Sequence, residues 1–64
     1  MTNEQYTIIN AIKANTKRMA KIATIKRWHD QCDKAINFVI AECQTQHIHL
    51  NEDEMRACAV AIVD

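Results

Sequence analysis

The chain contains no glycine and no proline. Average usage would place about eight of the two in a sequence of this length. Their absence excludes the glycine-rich loops that cradle phosphates, the Asn-Gly and Gly-X hairpins, and most tight turns. Helices with short connections remain, so an all-α fold is expected. Long apolar runs are also missing. The longest, Ala57 to Val63, has seven residues, whereas a bilayer crossing needs about 20, and no membrane partner is expected. No charged-then-apolar leader opens the sequence, and three cysteines is an odd number. Both point to reduced thiols and a cytoplasmic protein. Paired-carboxylate motifs and glycine-rich catalytic turns are lacking as well, so neither an enzyme nor a small-molecule substrate is expected.

What is present is one domain at most, 64 residues long and 48% hydrophobic. A chain this small hides only about 60% of the surface that its unfolded form exposes. Its own core is therefore expected to fall short, and a partner to complete it. Net charge is zero, but unevenly spread. From Gln5 to His29 there are six cations and no acid; from Asp30 to Asp64 there are seven acids and two cations.

Local signals mark the helix ends. Thr2 with Gln5, and Asn51 with Glu54, have capping-box spacing. Leu50 and Met55 stand where a hydrophobic staple forms, and Glu52, Asp53 and Glu54 suit the positive end of a helix dipole. The first helix is read with Tyr6, Ile9, Ile12 and Met19 inward and Ile8 beside them. Asn15-Thr16 is the one interruption favoured in the first part of the chain, since Asn tolerates a left-handed end and Thr can cap the next helix. Without it, a single helix from Asn3 to Gln44 would run about 60 Å. Beyond the break, Ile22, Ile25, His29, Cys32, Ile36, Val39 and Cys43 are spaced 3, 4, 3, 4, 3, 4, a heptad seam. Trp28, Ala35 and Phe38 form a second strip beside it. The expected helices are 3–14, 17–44 and 52–62. Together they make a three-helix or helical-hairpin unit with a long middle helix, completed by dimerisation. The last helix is apolar on nearly every side beyond Arg56, which calls for burial all round.

The favoured function is a small interaction protein, a homo-oligomer and most simply a dimer, that binds or blocks a macromolecular partner. By size class alone, a regulator or inhibitor of the sort that phages and mobile elements encode fits. The interface is assigned to Ile22, Ile25, His29, Cys32, Ile36, Val39, Cys43, Val60, Ile62 and Val63. A second reading makes it a nucleic-acid-binding regulator, with contacts from Lys13, Lys17, Arg18, Lys21 and Trp28. A protein partner is preferred, because the whole chain is neutral and base readout favours Arg with Asn or Gln.

His29, Cys32, Cys43 and His47 read as H-x2-C and C-x3-H, a spacing that invites zinc. Cys32 and Cys43 are about 16 Å apart along one helix, so a single chain does not close the site. Two antiparallel copies would, because Cys32 and Cys43 lie on either side of a two-fold near Asn37-Phe38. A cysteine in a seam is more often a small buried hydrophobe, so no metal and no cofactor are assigned.

Overall fold

A computed structural model describes residues 1–64. It is all-helical and has four helices: α1 (Asn3–Lys13), α2 (Thr16–Ala23), α3 (Trp28–Gln46) and α4 (Glu52–Val63). Both expected capping boxes form. Thr2 accepts from the Gln5 amide while the Gln5 side chain accepts from the Thr2 amide; Asn51 and Glu54 do the same at α4. Each box satisfies two of the amides that a helix start leaves without partners. The break at Asn15-Thr16 is also present, but the cap is Asn15 rather than Thr16: the Asn15 side chain accepts from the Arg18 amide, and α2 starts at Thr16.

The expected middle helix 17–44 is in fact two helices. The sequence around Thr24–Arg27 carries no glycine or proline, so nothing in periodicity alone stops the helix there. Side chains stop it. Thr24 donates its hydroxyl to the Lys21 carbonyl, and the Ile25 amide bonds back to Ile22 in a tighter turn. The Gln31 side chain then donates to the Ile25 carbonyl. Local side-chain bonds of this kind compete with the helical ladder. Arg27 is extended, and its carbonyl accepts the first bond of α3. The heptad seam is thereby divided: Ile22 ends α2, Ile25 lies in the turn, and the remainder lies on α3.

The end of α3 is closed without glycine. His47 adopts a left-handed conformation at φ 56°. The Ile48 amide donates to the Cys43 carbonyl at 3.0 Å and the His47 amide to the Gln44 carbonyl at 3.4 Å. That is the Schellman arrangement.

The core joins α1, α3 and α4: Ile8, Ile9 and Ile12 from α1, Ala35, Val39 and Cys43 from α3, and Cys58, Ala59 and Ile62 from α4, with Ile22 and Leu50. Tyr6, expected inside, is exposed. The inward stripe of α1 is Gln5, Ile8, Ile9 and Ile12. Gln5 tolerates burial because its amide donates to the Glu54 carbonyl while its oxygen serves the Thr2 cap. The expectation that the chain falls short of covering itself meets a core of 11 residues enclosed within one chain, while Trp28, Ile40 and Val60 stay uncovered. A monomer of 7.4 kDa ordinarily exposes about 4,200 Å², and this one exposes 4352 Å². The last helix is not buried all round: α1 and α3 flank it and bury Cys58, Ala59 and Ile62, while Val60 is exposed and Ala57, Ala61 and Val63 are half-buried.

Candidate interaction site

With its core closed within one chain, this protein meets partners only through what remains outside. The residues assigned to an interface divide accordingly. Ile22, Cys32, Val39, Cys43 and Ile62 are buried by their own chain and are not available to another molecule, while Ile25, Ile36 and Val63 are half-buried. His29 and Val60 are exposed. The seam is therefore mostly an intrachain seam, and its heptad spacing records the packing of α3 against α4 and α1.

The open surface between α3 and α4 has two unlike ends. At one end Trp28 and His29 stand edge to face, their ring centroids 5.2 Å apart. Trp28 is 45% exposed, and its indole N–H donates to the Asp64 carboxylate at 2.9 Å. Beside this ring pair lies a shallow groove floored by Cys32, Ile36, Ala59 and Val60. At the other end, the left-handed turn at His47 swings the connection away from α3 and leaves an open depression of about 550 Å³. Ile40, Ile48, Leu50 and Met55 give it an apolar lining, and His47 and His49 stand among its polar residues. Ile40, 39% exposed, and Val60, 36% exposed, are uncovered apolar side chains along this surface. Sequence reasoning missed Ile40 and the depression, because both follow from the turn at His47 rather than from the heptad.

Cys32, Cys43 and Cys58 are free and buried. Burial pushes all three up in pKa, Cys58 to about 11, and neighbouring carboxylates add to the effect at each site. A thiol held protonated at neutral pH is a poor nucleophile and a poor metal ligand. No three of the histidine, cysteine and acidic side chains converge on a point that would hold a metal ion.

The basic residues are rearranged in the same way. The stripe Lys13, Lys17, Lys21, Trp28 requires one continuous helix, and two breaks interrupt it. Arg18 leaves the set altogether. It is bound to Glu42 at 2.6 Å and lies over the Phe38 ring at 5.4 Å. Glu42 is held below its ordinary value, first by the Gln46 side chain that donates to it and then by Arg18. Trp28 sits apart from the lysines, tied to Asp64. Lys13, Lys17 and Lys21 are exposed, as are Lys26 and Arg27 in the turn before α3. No helix is long and apolar enough to cross a membrane. No protein-family model, curated protein or solved structure matches this chain.

Proposed function

We propose that this protein is a non-enzymatic helical docking module of the cytoplasm whose α3–α4 face is occupied by the same face of a second copy. The paired unit then acts by covering a site on a larger macromolecule, as a small regulator or inhibitor does. The carrying observation is the unlikeness of the two ends: a projecting ring pair at Trp28–His29 and an apolar depression about one α3 length away. A two-fold axis crossing α3 near Phe38 sets each end against the other. His29 of one copy then lies opposite His47 of its mate, and Ile36 opposite Ile40. A surface with a projection and a recess on either side of one axis is self-complementary, as a closed dimer requires. Free, buried thiols suit a reducing compartment.

The complete core limits how strong this pairing is. The dimer is expected to be weak and to depend on concentration, because 11 core residues are enclosed within one chain and few large apolar side chains stay uncovered. Light scattering over a wide dilution series tests it. The expected result is a mass rising from one copy towards two, with Ile40→Asp holding the chain at one copy and leaving its helicity unchanged. Ile40 is the cleaner position for a charge than Ile36, which packs on the core and would confuse folding with association. A mass of one copy at every concentration, or dimers that Ile40→Asp leaves intact, sinks the proposal.

A further inference from the structure

We propose that the edge formed by the end of α1, the outer face of α2 and the turn before α3 binds the phosphate backbone of a nucleic acid. The observations are independent of the α3–α4 face. Lys13, Lys17, Lys21, Lys26 and Arg27 are all exposed, and none is in an ion pair; the molecule's two ion pairs are Arg18–Glu42 and Arg56–Glu52. No acid interrupts the stretch from Gln5 to His29, and Asp30 is the first to follow it.

The two helix breaks produce this edge. Arg18 and Ile22 fix the inward side of α2, through the Glu42 pair and the core. Lys17 and Lys21 are thereby left on its outward side, one turn and about 6 Å apart along the axis. Lys13 ends α1, and Lys26 and Arg27 lie in the turn after α2, so the five charges flank or sit on a helix about 12 Å long. The main acidic cluster is elsewhere. Glu52, Asp53 and Glu54 open α4, which the Gln5–Glu54 bond holds beside the start of α1, at the opposite end of that helix from Lys13. With Arg18 and Glu42 neutralising one another, the edge carries +5, and the other two cations and seven acids leave −5. Zero net charge therefore conceals a run of unpaired cations, flanked at its Arg27 end by Asp30 and by Asp64, which is bonded to Trp28.

The chemistry of that surface selects the ligand. Four of the five cations are lysines, point charges that neutralise phosphates without reading base edges. Binding is accordingly expected to be independent of sequence. A lipid surface also offers phosphates, but a helix that lies in a membrane needs a large apolar face to insert. The larger apolar residues of α2, Met19 and Ile22, pack inward, and its outward neighbours Ala20, Ala23 and Thr24 are small. A duplex presents a charge about every 1.7 Å, and releasing its counterions drives binding.

Fluorescence anisotropy with a labelled DNA duplex and a labelled single-stranded RNA tests the inference, alongside flotation with phosphatidylserine vesicles. The expected result is nucleic-acid binding that weakens with salt, by up to about 500-fold between 50 and 200 mM if all five cations engage, at a slope near 0.9 per contact. Changing Lys17, Lys21 and Arg27 together to alanine should lower low-salt affinity at least about tenfold with helicity intact. Arg56→Ala, outside the edge, should leave affinity unchanged. No binding to either nucleic acid at low salt, equal binding by the triple variant, or capture by vesicles alone overturns it.

Discussion

Glu42 shows how a single carboxylate can hold an element in place. It takes Arg18 from α2 and Gln46 from its own helix, one on each oxygen. Because these bonds favour its charged form, its folded pKa lies below the ordinary 4.5. The sign follows: the stabilisation is present above that ordinary value and is lost as pH falls through the lowered one. Glu42→Gln is expected to cost about 1–2 kcal/mol at neutral pH, the range for a hydrogen-bonded charge pair with limited solvent access. The variant should also lose less stability than the parent on acidification. Urea unfolding at neutral pH and near pH 3 checks both, and parallel losses in the two proteins would refute the role given to Glu42. This pair was illegible in the sequence. Arg18 reads as one more member of a basic stripe until the fold brings Glu42, 24 residues away, beside it.

Among the elements, those whose ends are set by neighbouring residues could be read in advance. Thr2 with Gln5, and Asn51 with Glu54, are local signals, and both helix starts lie where they point; the start after the Asn15-Thr16 break lies one residue earlier than Thr16 as cap would place it. The break at Thr24–Arg27 was not readable, because it depends on Gln31 reaching back to Ile25 and on the gain from packing Ile22 into the core. The heptad spacing was real but said nothing about what packs against it. In a single chain α1 and α4 took that place, and half of the assigned interface residues are buried within the chain. The end of α3 offers a test at this scale. His47 adopts a positive φ that a side chain resists, so His47→Gly is expected to raise stability by about 0.5–1 kcal/mol, allowing for the greater entropy of glycine in the unfolded chain. Chemical denaturation at low protein concentration measures it. A loss of stability would mean that the His47 side chain contributes contacts outweighing the backbone strain.

The whole molecule has little stability to lose. At typical values per residue, a chain this long is stable by about 3–10 kcal/mol. Ile12 is fully enclosed, and Ile12→Ala is expected to cost about 2–5 kcal/mol, enough to unfold a large fraction of the protein at room temperature. The three enclosed cysteines report this directly. In the parent they should react slowly with an aromatic disulfide reagent, and in Ile12→Ala all three should react within the mixing time. Slow labelling of the variant would show that the core tolerates the cavity.

Stability within the molecule is also uneven. The helix that carries the outward lysines has only Ile22 fully enclosed, with Arg18 and Met19 as its other inward anchors. A segment so lightly fastened exchanges its amide hydrogens first and detaches at small cost while α1, α3 and α4 stay assembled. If the cations of this helix meet a charged polymer, as proposed, faster amide exchange in α2 than in α1, α3 and α4 is the expected sign that Lys17 and Lys21 can adjust to its contour.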